Sequence, residues 1–510
     1  MYKKRKNQPM KNNILENHEK EIAGIISVND RIVIRGTLPI VSYSQGMNSF
    51  LFRNSIRIFD YLKFASGLRD NYIDYVKNFA TENNIAIKPL NSYKISKEDE
   101  VQKFLEERGT HPGLVCIISV VEGCSMFEPR YDKINNKPYL HYKRGRCLHY
   151  YFYFIDGVFG LCYLRVPTYA PFGLQFYCNG HNVLANELDK AGIKYHMLKN
   201  SFDRIDDYEK AQELANNLDV ADLKKRLDYY SKLYCPVHIK LAEHYHWSVM
   251  QLEYATDIIF KKKESLEAIY SDIVETAVHS VKVENIATFL GRRFTKAFNE
   301  EAGTKNKVLI EGTCIKHFYG RNSIKMYDKF GLVLRIETTS NDVRKFTIFR
   351  PVHHRDGTVE MKQTAASKDI FYMNDVNEKM HDANKRYIEY ISGFEEHSIG
   401  REKLNKVTEK VVENNRSYRG LNFFNKEDEN ILKTIMLGEF NISGFRNKDI
   451  RQKIKTKSQG QISRIIKSLR IHGVIKKVAK KYKYYVTENG KDILLSIFRM
   501  KELYIIPSLS

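Results

Sequence analysis

The residues of this chain whose types and spacing could carry chemistry gather in its middle. His244-Tyr245-His246 is a His-x-His pair, followed by Glu253 and Asp257. In a strand both imidazoles face the same side, as a two-histidine metal site requires. Residues 319–339, YGRNSIKMYDKFGLVLRIETT, place Asp328 and Lys329 in a turn between two short predicted strands, with Glu337 on the second. Arg335 and Glu337 alternate with apolar neighbours and share one strand face. Farther on, Tyr387 and Tyr390 lie on a predicted helix. These residues describe one reaction: a divalent ion held by His244, His246, Asp328 and Glu337, with Tyr387 or Tyr390 as nucleophile on a DNA phosphodiester. A phosphotyrosine intermediate would conserve the bond energy and split nicking and rejoining into two steps. The plainer expectation is a structural Arg335–Glu337 ion pair.

The YDK…LR-E stretch resembles the strand pair of plasmid rolling-circle replication initiators, over about 20 of the 510 residues. The resemblance implies that acidic residues, here Asp328 and Glu337 beside Lys329, help hold a divalent metal, Mg or Mn, for DNA nicking. The His pair departs from that pattern, with Tyr245 where an aliphatic residue would stand.

Two further clusters have weaker spacing. Cys147, His149, Cys162, Cys178 and His181 are zinc-type donors, but no pair has the usual close cysteine spacing. Free cysteine also serves as a small core hydrophobe. Asp30 and Asp156, each at the end of a predicted strand, could form a carboxylate pair for two metals, with no third carboxylate evident beside them. Neither GxxxxGK[ST] nor a strand–GxGxxG–helix is present, which argues against an ATP-driven motor or a dinucleotide enzyme.

The C-terminus carries the clearest local pattern. Residues 427–436 and 446–455 read as helices. Ser458-Gln459-Gly460-Gln461 is a capping box, and Ile462, Ile465, Ile466 and Leu469 then follow one helix face. Gly473 stands where a helix stops. Val474-Ile475 and Tyr484-Tyr485-Val486 make two short strands around a lysine-rich tip. This order, with SRIIKSLRIHGVIKKV and YKYYVTENG, resembles the winged helix-turn-helix domains of bacterial transcription regulators. Between Arg446 and Lys483 there are fourteen Lys and Arg against one Asp, so over half of the chain's +22 sits in 38 residues. Such charge binds phosphates without regard to sequence. Gln459, Gln461, Ser463 and Arg464 occupy the early part of the helix, where base edges are read. Lys467, Arg470, Lys476, Lys477, Lys481 and Lys483 are the expected phosphate contacts. A solvated face on a protein-binding domain is the competing expectation.

Residues 141–169 interleave basic and aromatic residues. Lys143, Arg144 and Arg146 precede a run of Tyr and Phe, the composition of a platform for single-stranded bases; a core strand with a basic loop explains it equally well.

These residues must be held by more than one domain. At roughly 100–200 residues per domain, 510 residues give about three. The expected organisation is a basic arm (1–12), an α/β domain (13–200), a central α+β domain with the acidic hairpin (201–394), a linker (395–420) and the winged-helix domain (421–510). The fold class is therefore α+β or mixed multidomain, with mixed sheets in the N-terminal and central regions. A composition 43% hydrophobic and 12% aromatic supports real cores. Lys and Arg number 83 against 61 Asp and Glu, which favours a nucleic-acid partner or an anionic surface. Apolar runs fall short of the roughly 20 residues that span a membrane. The basic start lacks the apolar core of a signal peptide, and seven cysteines without repeated spacing argue against a disulfide scaffold. A cytoplasmic location and no membrane partner are expected.

The phrases IRGTLP, CLHYYFYFID and IKMYDKFG-VLRIETT, with the winged-helix tail, also resemble a family of uncharacterised bacterial proteins over nearly the full length. That resemblance implies a shared architecture and no mechanism. The expected function is a bacterial DNA-binding protein of mobile-element type. The winged helix would select the site, and the α/β region would process nucleic acid, as a metal-dependent nickase or a transposition or replication initiator. Recognition of RNA in place of DNA, and a homodimer, stay open. The alternative is a non-enzymatic winged-helix regulator whose α/β region binds a ligand or partner.

Overall fold

The computed structural model of the chain describes residues 14–90, 95–216, 218–295, 298–309, 312–478 and 482–509. They divide into two compact units, residues 1–392 and 393–510. The arm at residues 1–12 and Lys481 lie outside the described residues.

The first unit is built on one large sheet. Its strands are β1 (Ile22–Thr37), β2 (Ile87–Pro89), β3 (Gly113–Asp132), β4 (Lys137–Asp156), β5 (Gly160–Pro167), β6 (Leu174–Cys178), β9 (His246–Phe260), β10 (Ala302–Leu309), β11 (Gly312–Tyr319), β12 (Asn322–Lys329) and β13 (Val333–Ser340). A separate hairpin, β7 (Tyr195–Met197) with β8 (Phe202–Ile205), lies between β6 and β9 in the chain. The strand order is β10-β11-β12-β13-β9-β1-β6-β5-β4-β3-β2. All pairings are antiparallel except β2 with β3, so the unit is mixed α+β with a mixed sheet.

The expected boundary at residue 200 falls inside this sheet, because β9 pairs with β1 on one side and β13 on the other. Segment 245–260, which reads ambiguously as sequence, is a strand. Its buried Ala255, Ile258, Ile259 and Phe260 fill positions on both faces, leaving little alternation to read. The two halves therefore share one core.

The two sheet faces differ. One packs against helices Tyr61–Glu82, Val220–Tyr234 and Met373–Ile391, burying Ile34, Phe152, Phe154, Leu164, Phe176 and Leu252. On the other, helix Gly180–Ala191 and the β7–β8 hairpin cover one end through Leu184, Leu188 and Phe202 against Ile26, Val28 and Val333. Helix Lys97–Arg108 covers the β3–β4 edge through Val101 against Cys116, Ile118, Tyr151 and Tyr153. Between these covers the face carries polar side chains.

The second unit begins with helix Phe394–Thr408 and a hairpin of Val411–Glu413 with Arg416–Tyr418. The stretch read as a linker is thus structured, although its composition is polar. Helices Lys426–Ile435, Gly438–Ser443, Asn447–Lys453 and Gln459–Ile471 follow, then a hairpin of Ile475–Lys477 with Tyr484–Val486, then helix Glu488–Met500. Ile431, Leu432, Ile450, Ile462, Ile466, Leu469, Val486 and Leu494 share one core. No helix among the described residues is long and apolar enough to cross a membrane.

Candidate functional site

Three acids on three adjacent strands converge on the polar face of the sheet. Asp30 is the extra residue of a β-bulge: Asn29 pairs with Tyr254 and Arg31 with Glu253, which leaves Asp30 outside the register. Glu253 of β9 pairs with Thr339 of β13, and Glu337 of β13 pairs with Lys325 of β12. Paired residues of neighbouring strands share a face, so Arg31, Glu253, Glu337 and Lys325 point the same way. Oxygens of Asp30, Glu253 and Glu337 lie within 4.8 Å of one another. Asp30 and Glu253 are partly exposed and Glu337 is buried.

Cations and a phenol complete this set. Lys325 Nζ is 2.6 Å from Glu337 Oε1 and 3.9 Å from Glu253 Oε1. Arg31 Nε is 3.7 Å from Glu253 Oε2, with its guanidinium over the Tyr177 ring. The Tyr327 hydroxyl donates to Glu337 Oε2 at 2.9 Å. Burial and the nearby charge of Glu337 push the Glu253 carboxyl up, against Lys325 and Arg31. Burial and the same charge push the Tyr327 phenol far up, so it is a donor rather than a nucleophile at neutral pH.

Beneath the acids lies a buried charge network that fixes Asp30. Arg335 is 0% exposed. Its Nε and Nη2 donate to the two oxygens of Asp257 at 2.6 and 2.7 Å, and its Nη1 donates to Asp30 Oδ1 at 3.1 Å. Nη2 also donates to His181 Nε2 at 3.0 Å and to the Asn200 carbonyl at 2.8 Å. With Nε2 accepting, His181 carries its proton on Nδ1, which faces Asp30 at 3.3 Å. Burial works to raise the Asp30 carboxyl, but the hydrogen bond from His181 and the charge of Arg335 hold it well below the usual range. Asp257 behaves alike: burial is outweighed by the charge of Arg335 and the hydrogen bonds it donates. Helix Gly180–Ala191 brings His181 here because Gly180 lets it approach β1; a Cβ at 180 would stand 2.3 Å from the Asn29 carbonyl.

The structure keeps Glu337 of the expected metal set and separates the rest. His246 opens β9, opposite Thr37, whereas Glu337 pairs with Ala255. Nine residues along a strand amount to about 30 Å at ~3.3 Å each. His244 and His246 are exposed, beside Glu243 and Asp369. Asp328 pairs with Leu334, on the face opposite Glu337, and its Oδ1 accepts from the Gly331 amide in the turn. Lys329 is buried on Asn200. Tyr387 is fully buried under the helix-covered face, its hydroxyl 2.9 Å from His317 Nε2. The Tyr390 hydroxyl donates to the Ser280 carbonyl. Neither tyrosine reaches the acids.

The other clusters separate too. Asp156 accepts from Arg226 and Tyr230. Cys162 and Cys178 face each other in the core between β5 and β6, His149 accepts from Arg165, and His181 belongs to the Asp30 network. Tyr150, Tyr151, Phe152, Tyr153 and Phe154 are all nearly buried, so that strand offers no stacking platform. Lys143 pairs with Glu128, Arg146 donates to the Val121 carbonyl, and Arg144 lines a cavity beside the β3–β4 hairpin.

In the sequence Glu253 stands out only as a neighbour of the His pair, and Arg335 only as a partner for Glu337 rather than for Asp30. The signal present was parity: Glu253 and Asp257, four apart in a strand, share a face, as do Arg335 and Glu337. Their convergence with Asp30 depends on pairings that no local pattern encodes.

In the second unit the Ser458 hydroxyl accepts from the Gln461 amide at 3.3 Å, and Gln461 Oε1 accepts from the Ser458 amide at 2.8 Å. Gly473 has φ 73°. Gln459, Gln461, Ser463, Arg464 and Arg470 are exposed, as are Lys476 and Lys477. Lys483 is half-buried, and Lys467 lies over the Tyr418 ring. Ser463 accepts from Asn447 at 2.7 Å, which ties this helix to Asn447–Lys453.

No family model, no curated protein and no solved structure matches the chain.

Proposed function

We propose that this chain is a DNA-processing protein of mobile-element type. Its second unit acts as a winged helix that binds duplex DNA, and the polar face of its large sheet holds a divalent cation, Mg or Mn, for chemistry on a phosphodiester. The observation that carries the reading is the convergence of Asp30, Glu253 and Glu337 within 4.8 Å of one another. Opposed oxygens of a Mg shell stand about 4.2 Å apart, so these acids close on an ion with shifts of under about 1 Å. The cation would polarise a phosphoryl oxygen or a water, and Lys325 stands beside the acids to neutralise developing charge. The nucleophile in this reading is water, since Tyr387 is buried and the Tyr390 hydroxyl is engaged by the Ser280 carbonyl, both away from the acids.

A second reading is a non-enzymatic winged-helix regulator. One observation favours it: each acid already has a cationic neighbour, Arg335 for Asp30, Arg31 for Glu253 and Lys325 for Glu337. Titration with Mn²⁺, followed by calorimetry and by cleavage of labelled single-stranded and duplex DNA, separates the two. The first reading expects saturable Mn²⁺ binding and metal-dependent cleavage, both lost in Glu253→Gln and Glu337→Gln. A folded wild type that binds no Mn²⁺ and cleaves nothing leaves the regulator.

A further inference from the structure

A cavity of about 400 Å³ that the acids do not use lies where the β3–β4 hairpin runs past the ends of β5 and β6, and is lined by Arg35, Arg144, Arg165, Ser125, Tyr142 and Tyr169 among others. Its three guanidiniums come from three strands, β1, β4 and β5. Arg165 is held rigidly from behind: Nε donates to Glu122 Oε2 at 3.1 Å and Nη2 to His149 Nε2 at 3.0 Å and the Gly123 carbonyl at 3.3 Å. With Nε2 accepting, the neutral His149 ring places its proton on Nδ1, toward the Cys147 carbonyl at 3.0 Å. Burial and the Arg165 charge lower the His149 pKa to about 4, so the ring stays neutral. Arg35 and Arg144, by contrast, have no carboxylate partner among the described residues.

Glycines mark where a ligand can approach. Gly123 and Gly173 line the cavity. A Cβ at Gly173 meets nothing within 4 Å, and one at Gly123 meets only the Gly145 carbonyl at 3.9 Å. Neither has a positive φ. Packing and backbone conformation therefore give no reason for glycine at either place, whereas close approach of a ligand does.

We propose that this cavity binds a phosphate group, carried by a free nucleotide or by the end of a nucleic-acid strand. Guanidinium forks match phosphate oxygens in geometry and charge. The volume exceeds that of a lone phosphate and lies in the range of small-ligand sites. The exposed Tyr142 ring and half-buried Tyr169 supply apolar surface beside the arginines. Arg35 lies four residues along β1 from Arg31, about 13 Å at ~3.3 Å per residue, so this pocket is separate from the acids and needs no metal.

The test uses the full chain in EDTA. Calorimetry would measure binding of inorganic phosphate and of a nucleoside monophosphate. Fluorescence anisotropy would compare a short single strand with and without a terminal phosphate. Wild type should bind at least one of these probes saturably, and Arg35→Gln and Arg144→Gln should each weaken that binding about tenfold, or 1.4 kcal/mol, with melting temperatures unchanged. Gly123→Val, which places a branched side chain in the cavity, should do the same. A preference for the monophosphate identifies a free nucleotide, and a gain from the terminal phosphate identifies a strand end. Absence of saturable binding, or binding unchanged in both arginine variants, overturns the proposal. Neither outcome touches the acids, whose own test is Mn²⁺ binding.

Discussion

At the scale of single residues, Glu253 and Asp257 respond to pH in opposite senses. Burial and Glu337 raise the Glu253 carboxyl above 4.5 in the folded chain. The folded state then holds the proton more tightly than the unfolded one, so this contribution is full below the unfolded pKa and fades as pH rises through the folded one. Glu253→Gln should therefore melt higher than wild type near pH 7, by a margin that closes at about pH 4, below the unfolded carboxylate value. A lower melting point at neutral pH would mean that Arg31 and Lys325 dominate. For Asp257 the carboxyl is depressed below 3.8. Its contribution is full above that value and is lost as pH falls through the folded pKa. Asp257→Asn leaves Arg335 buried without its main counter-ion, so it should cost about 3–5 kcal/mol in denaturant unfolding. A loss under about 1 kcal/mol, the size of an exposed pair, would show the network to be solvated.

The same contrast between local and distant causes sets what each element reveals. Helix Gln459–Ile471 is legible because its signals are contiguous: a Ser458 cap, a Gln461 that reaches back, and Ile462, Ile466 and Leu469 on one face. Ser458→Ala should cost about 1 kcal/mol, read as faster hydrogen exchange at the amides of residues 462–469 with exchange in β1 unchanged. The acids were only partly legible. Glu337 stood out beside Arg335, but Asp30 reaches it through a bulge in β1 and through β9, whose partners lie more than two hundred residues from β1 and some eighty from β13. The His244–His246 pair misleads because same-side spacing says nothing about position along a strand: His246 opens β9 at its far end, and His244 lies before the strand begins. Gly180 shows how closely elements must meet here. A Cβ would lie 2.3 Å from the Asn29 carbonyl, so Gly180→Ala should push helix Gly180–Ala191 away from β1, cost about 1–3 kcal/mol as overpacking, and weaken Mn²⁺ binding by releasing Asp30 from His181. Unchanged stability would show that the helix shifts freely.

Over the whole molecule, charge is unevenly shared. Residues 446–483 hold +13 of the chain's +22, while the sheet face mixes acids with Arg31, Arg35 and Lys325. Under the proposed function, the two units would meet nucleic acid under different conditions. If the second unit binds duplex DNA as proposed, that binding releases counterions, and its log affinity should fall with log salt by about 0.9 for each phosphate neutralised. With exposed Arg464 and Arg470 on the helix, exposed Lys476 and Lys477 on the hairpin and half-buried Lys483 beside them, about five contacts are expected, and affinity for duplex DNA should drop by two to three orders of magnitude between about 50 and 200 mM salt. Lys477→Ala should weaken every sequence alike and lower the slope by about one. Arg464→Ala, at an exposed position early in the helix, should relax discrimination at one base pair by about 1–3 kcal/mol, because a guanidinium reads guanine edges through two parallel hydrogen bonds. Loss of the acids, in Glu253→Gln with Glu337→Gln, should leave both salt slope and discrimination unchanged. Anisotropy on a randomised duplex pool at several salt concentrations measures all three. Duplex affinity that ignores salt, or that falls equally in the acid variants, would remove the winged-helix reading and return the basic tail to the role of a solvated surface.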